Sequence, residues 1–331
     1  MLRMAAYNIK AVLEGGLSLL PGFGRIFYKG TGGTDSARYC YSVWLRHLVM
    51  TKEFIEMGGG SLGTVVEIGP GDSLGTGLAA LLSGASRYIA VDAVKHANAQ
   101  QNMNVFRELV SLFKNRAPIP SNKEFAGINP PVDDLSFPSS MLDHVRMQTN
   151  LDSKRLQVIR DGLQNPVKEN PLFQYVDPAG ASSVIPAGSV DILFSQAVLE
   201  HVEDLQKLYR ECRTWLKPGG LMSHQIDFKS HGSSREWNGH WVYPDGVWRL
   251  IRGNRPYLLN REPCSTHLGL LKQNGFQIVV DERLTLPSRL QRSQLASRFR
   301  KMSEQDLTTA GIYVVAKKPK REQGFFEKTQ E

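Results

Sequence analysis

Val65-Val66-Glu67-Ile68-Gly69-Pro70-Gly71-Asp72 carries an apolar strand into a glycine-rich turn. The pattern around it predicts a strand over Thr64 to Ile68, a turn over Gly69 to Gly71, a helix over Leu74 to Leu82 and a second strand over Tyr88 to Val91. This is the opening βαβ unit of a parallel sheet. Two glycines at such a turn let a bulky ligand approach the main chain at the carboxyl edge of the sheet. The second strand ends in Ala90-Val91-Asp92, and a carboxylate there is placed to accept hydrogen bonds from both hydroxyls of a ribose.

Outward from this unit the alternation continues. Strands are expected at Phe173 to Val176, Val190 to Ser195 and Leu221 to Ile226, with a helix from about Leu205 to Leu216 between the last two. A helix near Thr266 to Gln273 stops at Gly275, and strands at Gln277 to Val280 and Ile312 to Ala316 suggest an antiparallel pair at the sheet edge. The fold class is therefore α/β: a doubly wound, mostly parallel seven-stranded sheet. Residues 1–60 look helical and are expected to form an N-terminal cap or lid. Residues 61–317 form the main domain, with a helical insertion over about 95–170 and an acceptor-binding segment over about 228–262; residues 318–331 are a basic tail.

A nicotinamide dinucleotide competes for the glycine turn, but the GxGxxG fingerprint needs glycine where Leu74 stands. A diphosphate is also disfavoured by Glu67 and Asp72 around the turn, whereas a sulfonium and an amino group fit an acidic rim. These residues resemble the class I S-adenosylmethionine-dependent methyltransferases over roughly residues 60–227 and again over 266–317. Glu67-Ile68-Gly69-Pro70-Gly71 resembles that family's first motif and Asp92 its ribose-binding acid. Gly188 to Asp204 resembles the motif around the fourth strand, and Leu216-Lys217-Pro218-Gly219-Gly220 the turn before the fifth. The resemblance implies S-adenosyl-L-methionine as cofactor, with Glu67, Gly69 and Gly71 facing its methionine part. It further implies Asp92 on the ribose, Asp177 near the adenine edge, and Ser195 and Gln196 on the pocket floor.

The fifth strand runs into Ser223-His224-Gln225-Ile226-Asp227-Phe228-Lys229-Ser230-His231, a dense ionisable group where a doubly wound sheet places its ligand crevice. Transfer of a methyl to a hydroxyl requires alignment and removal of the acceptor's proton. Histidine suits that role near neutral pH. His231 or His224 is the expected base, with Asp227 orienting it. Trp237, His240, Trp241, Tyr257, Asn260 and Arg261 follow in an aromatic and basic stretch suited to a sugar ring or planar acceptor, anionic ones included. The expected reaction is O-methylation of a small-molecule or saccharide acceptor. A nucleic-acid or protein acceptor, or a non-catalytic partner protein on the same fold, is the alternative. Ser195-Gln196-Ala197-Val198 stands where base-methylating enzymes carry an Asn-Pro-Pro signature, which disfavours nucleic acid.

The chain has 331 residues, 41% hydrophobic, with a formal net charge of +8. That charge favours anionic partners, and peripheral membrane contact by the apolar stretch around Ala11 to Phe27 is open, with packing on the main domain the preferred reading. Cys40, Cys212 and Cys264 lie far apart without metal-ligand spacing, so neither a disulfide framework nor a metal site is expected. There is no run of about 18 apolar residues and no secretory leader pattern, which predicts a cytoplasmic protein. The segment from Tyr28 to Tyr41, rich in glycine, reads as a lid over the cofactor.

Overall fold

The computed structural model describes residues 8–20, 32–165, 170–255 and 258–320. In chain order the helices and strands are α1 (Ile9–Ser18), α2 (Ala37–Met50), α3 (Lys52–Met57), β1 (Thr64–Ile68), α4 (Gly75–Leu82) and β2 (Arg87–Val91). Then come α5 (Ala99–Lys114), α6 (His144–Asn150), α7 (Ser153–Gln164), β3 (Phe173–Val176), α8 (Pro178–Val184), β4 (Val190–Gln196), α9 (Leu205–Trp215) and β5 (Leu216–Asp227). The chain continues through α10 (Asp245–Arg252), α11 (Cys264–Gln273), β6 (Gln277–Thr285), α12 (Glu304–Thr308) and β7 (Thr309–Lys317).

The strands form one seven-stranded sheet in the order β3-β2-β1-β4-β5-β7-β6. All neighbours from β3 to β5 are parallel, while β7 runs antiparallel to both β5 and β6. This is the mostly parallel, doubly wound architecture expected, with its antiparallel pair at the edge. The order reverses between β1 and β4, which makes their carboxyl ends the crevice of the sheet. The edge strand β6 is blunted by Asp281, Glu282 and Arg283, a common protection against edge pairing.

Strand alternation sorts side chains onto two covered faces. Val65, Tyr88, Ala90, Ile192, Phe194 and Leu221 pack beneath α2, α4, α5 and α7. Val66, Ile89, Leu193, Met222, Ile226 and Val314 pack beneath α8, α9 and α11. Helix α9 illustrates the helical counterpart: Leu205, Tyr209, Cys212 and Trp215 recur on one stripe and are buried. Burying each large apolar side chain is worth about 1.5–3 kcal/mol. Asp204 starts that helix by accepting a hydrogen bond from the Lys207 N–H at 2.8 Å.

One expectation is refined and another corrected. Of the stretch expected to form a cap, α2 is part of the main core, where it buries Cys40, Tyr41, Trp44, Leu45 and Leu48, and the Trp44 indole donates to Ser83 Oγ at 2.8 Å. The Lys217-Pro218-Gly219-Gly220 turn is a bulge within β5, lying between the pairs Val190↔Leu216 and Ile192↔Leu221.

Close packing of α4 on β2 yields a prediction. A Cβ at Gly77 meets the Tyr88 ring at 1.9 Å, and that ring is fully buried. Alanine is the better helix former by about 1 kcal/mol, yet Gly77→Ala is expected to destabilise by about 2–3 kcal/mol through overpacking. Denaturant unfolding checks this; a stabilised variant would contradict the packing described.

Candidate functional site

At the carboxyl end of β1 the backbone turns through Gly69 at φ 70° and Gly71 at φ 75°, a region side-chain-bearing residues seldom adopt. Gly69 has a second constraint, since a Cβ there meets Val198 at 2.6 Å. The loop after β4 therefore rests directly on the glycine turn. From the other side comes the Thr34 segment: its hydroxyl accepts from the Asp72 N–H at 2.8 Å, and its carbonyl accepts from the Ser73 hydroxyl. Gln101 Nε2 ties the neighbouring Asp35 carbonyl to α5 at 2.7 Å. This part of the expected lid is thus seated on the turn, while Tyr28 to Thr31 lie outside the described residues.

Asp92 is half-buried at the end of β2. Burial raises its carboxyl above the ordinary aspartate value, partly offset by the Val94 and Gly71 N–H groups. Its Oδ1 accepts from the Val94 N–H at 3.3 Å, and the Gly71 N–H sets the carboxylate against the glycine turn.

Glu67 lies elsewhere than expected. By alternation it shares the face of Val65, beneath α4, where it is 3% exposed and accepts the Tyr88 hydroxyl proton at 2.6 Å. Burial pushes its carboxyl up to about 8, so at neutral pH it is mostly uncharged and is no part of an acidic rim. Asp177 caps α8 by accepting from the Gly180 N–H at 2.7 Å. Ser195 is fully buried on the α9 face, where its hydroxyl meets His224 Nδ1 at 2.8 Å, so it does not line a pocket floor. His224 is corrected for the same reason: at 1% exposure beneath α9 and α11, with burial holding it down to about 3, it cannot reach an acceptor.

Gln196, on the opposite parity, is half-buried and closes the end of β4. Its Oε1 lies 3.1 Å from His47 Nε2, and its Nε2 donates to the Asn129 carbonyl at 3.0 Å. Buried Arg46 anchors the same part of the insertion, donating to the carbonyls of Pro130 at 2.8 Å and Pro120 at 3.0 Å. His47 and Asn129 escaped sequence reasoning, while Thr34 is read only as part of the lid segment. Tyr39 escaped as an individual residue: its phenol is pushed up to about 12 by burial, and it lies beside Gln196 and Glu200.

The fifth strand delivers the second half of the site. Asp227 Oδ2 lies 3.5 Å from His231 Nε2 and 3.4 Å from Lys229 Nζ, and Oδ1 accepts from the Lys229 N–H at 2.9 Å. Burial works to raise the Asp227 carboxyl, but His231 and Lys229 outweigh it and hold the group below its usual value. The His231 side chain keeps 32% exposure, and its backbone adopts φ 45°, a strained conformation of the kind that clusters at functional sites. His201 packs against it, the rings tilted by 60° with centroids 5.2 Å apart. The loop after β4 therefore touches the glycine turn through Val198 and the Asp227–His231 pair through His201. Close beside it Glu200 is buried, its carboxyl driven well above the ordinary value by burial.

The remaining expected acceptor contacts are largely structural. Trp241 is fully buried and donates to the Arg261 carbonyl at 3.0 Å. Arg261 is 4% exposed, donates to the Tyr243 carbonyl at 2.6 Å and packs on Trp248 and Phe299. His240 is 2% exposed, and Asn260 Nδ2 is committed to the Leu199 and Val202 carbonyls, both at 2.8 Å. Asn260 and Trp237 stay half-buried, and Trp237 donates to the Pro287 carbonyl at 3.1 Å. Tyr257 lies outside the described residues. No cluster of three or more metal-ligating side chains occurs among the described residues.

With this geometry in hand, residues 147–223, from α6 into β5, match the family model described as a methyltransferase domain. That segment of the chain is similar to a methyltransferase domain. No curated protein matches the sequence. Among solved structures, the chain is similar to an S-adenosylmethionine dependent methyltransferase from Mesorhizobium loti (15% identity, 78% of this chain and 92% of that chain, TM-score 0.37). It is also similar to one from Methanosarcina mazei (12% identity, 78% and 93%, TM-score 0.41). A third is phosphoethanolamine N-methyltransferase 2 of Haemonchus contortus (17% identity, 83% and 53%, TM-score 0.42). Likeness at this level says nothing of an acceptor.

Proposed function

We propose that this chain transfers the methyl group of S-adenosylmethionine to a hydroxyl of a small-molecule or saccharide acceptor. The observation that carries the reading is the Asp227–His231 pair, partly exposed on the same sheet edge as Gly69, Gly71 and Asp92 and linked to that turn by the loop after β4. The cofactor supplies an electrophilic methyl on a sulfonium. The protein's part is to hold, align and deprotonate.

Asp92 accepts the ribose hydroxyls, and the backbone of Gly69 and Gly71 leaves room for the methionine portion to approach. Asp227, ionised, favours a proton on His231 Nε2 and so leaves Nδ1 to take the proton of the acceptor hydroxyl as its oxygen is methylated. Lys229 beside this pair favours an acceptor bearing a carboxylate or phosphate. Labelled S-adenosylmethionine offered with hydroxylated glycosides and hydroxy acids, and with amines of matching shape, tests the reading by product mass. O-methylated products are expected. Transfer only to amines, to nucleic acid or to protein would overturn it.

A further inference from the structure

Helix α1 is docked by its small residues and leaves its large apolar ones outside. Ala11, Gly15 and Ser18 face α10, and the approach is so close that a Cβ at Gly15 meets the Leu250 and Ile251 carbonyl oxygens at 2.2 and 2.3 Å. On the opposite stripe of the 3.6-residue repeat lie Ile9, Leu13 and Leu17, exposed by 69%, 60% and 42%, and Leu20, just past the helix end, is exposed by 51%. Leu250 of α10, exposed by 41%, extends that stripe beside Gly16. A ridge of five large apolar side chains reverses the usual order for a surface helix and marks a contact with something outside the chain.

Charge identifies what that is. Lys10 on α1 has a 79% exposed side chain and Arg249 on α10 is exposed. Residues 1–34 contain four basic residues, Arg3, Lys10, Arg25 and Lys29, against one acid, Glu14, within a chain of net charge +8. Five half-exposed side chains fall well short of the roughly 800 Å² per partner that a stable dimer buries. Apolar side chains flanked by Lys10, which also pairs with Glu14 at 3.8 Å, and by Arg249 suit the boundary between acidic headgroups and acyl chains.

We propose that α1, with Leu250 and Arg249, docks the protein on the surface of an anionic lipid bilayer. The helix is also tied to the acceptor side of the site. Asn8, its N-cap, donates from Nδ2 to the Gly232 carbonyl at 3.0 Å and from its backbone N–H to the Tyr243 hydroxyl at 2.8 Å. Gly232 adjoins His231, so docking holds the mouth beside His231 at headgroup level and favours acceptors carried at a membrane surface. That last step rests on the function proposed above; the docking does not.

Flotation with phosphatidylcholine vesicles, with and without phosphatidylglycerol, tests the docking, using S-adenosylhomocysteine titration and circular dichroism to verify the fold. Wild type is expected to float with the anionic vesicles and to be released by salt. Leu13→Ser/Leu17→Ser is expected to lower partitioning about ten-fold or more, and Lys10→Glu/Arg249→Glu to remove the preference for acidic lipid. Wild type remaining in solution, or partitioning unaltered in the Leu13→Ser/Leu17→Ser variant, would overturn the proposal. So would a dimer that this variant dissociates in the absence of vesicle binding, which would assign the ridge to a second copy. Failure to bind S-adenosylhomocysteine with flotation intact would count against the proposed function and leave the docking standing.

Discussion

His231→Ala is expected to lower kcat by about 10²–10⁴-fold, the usual contribution of a positioned general base, while leaving S-adenosylhomocysteine affinity unchanged. The separation follows from the geometry. His231 belongs to the end of β5 with Asp227, whereas the cofactor contacts belong to β1 and β2. Asp227→Asn should reduce kcat less than His231→Ala does, because the imidazole remains but loses the anion that orients it and stabilises its charged form. A single-turnover assay with the acceptor found in the screen checks both. Full activity in His231→Ala would remove the base assigned here and leave alignment as the protein's main contribution.

Thermal stability should peak near pH 6.5 and collapse as the solution is acidified toward pH 4. Burial holds His47 and His201 down to about 4, and His224, His240 and His267 down to about 3. Each is neutral in the folded state below the pH at which it protonates in the unfolded chain, near 6.5. The unfolded chain therefore binds more protons between pH 6.5 and pH 4, and stability falls with pH throughout that window. Glu67 and Glu200 act in the opposite sense, because burial raises both carboxyls and the folded state keeps protons that the unfolded chain releases.

Five histidines outweigh two carboxyls below pH 6.5. Above it the carboxyls alone remain, and stability declines toward pH 8. One pKa unit is worth about 1.4 kcal/mol, so even a fraction of five such shifts rivals the roughly 5–15 kcal/mol that holds an ordinary domain together. Melting temperatures across pH 4–9 check the dome. A Tm that is flat from pH 6.5 to pH 4 would mean that the buried rings are not the neutral, dry groups described.

The fold was readable because its signals are local. Val65-Val66 before Gly69 and Gly71, the stripe Leu205, Tyr209, Cys212, Trp215, and Gly275 after α11 each specify an element within a few residues. The site was readable only in part, because side-chain direction matters as much as position. Ser195 and His224 sit at the correct strand ends but on the parity that points beneath α9 and α11, whereas Gln196 and Asp227 take the other parity; Glu67 shares the face of Gln196 but is covered by α4. The period-two rule contained this information, and reading every residue at a strand end as facing the pocket overlooked it.

The aromatic and basic stretch over 228–262 misled for a different reason. Tyr243, Trp248, Ile251 and Leu259 form a small core with Ala11, and Trp241 packs with Leu295, Phe299 and Leu307. Composition cannot distinguish side chains that receive a ligand from those that receive α1 or the segment before α12. Asn129 reaches the site from a distant segment with nothing in its neighbours to announce it, whereas Thr34 lies in the glycine-rich stretch read as a lid.

Titration of the purified protein with S-adenosylhomocysteine, beside NADH, in wild type and Asp92→Ala tests the central claim most directly. The account predicts selective binding of S-adenosylhomocysteine, weakened about ten-fold or more when the carboxylate at the end of β2 is removed, since hydrogen bonds to a charged group are worth about 1.5–3 kcal/mol. Binding of NADH in its place, or S-adenosylhomocysteine affinity indifferent to Asp92→Ala, would contradict it.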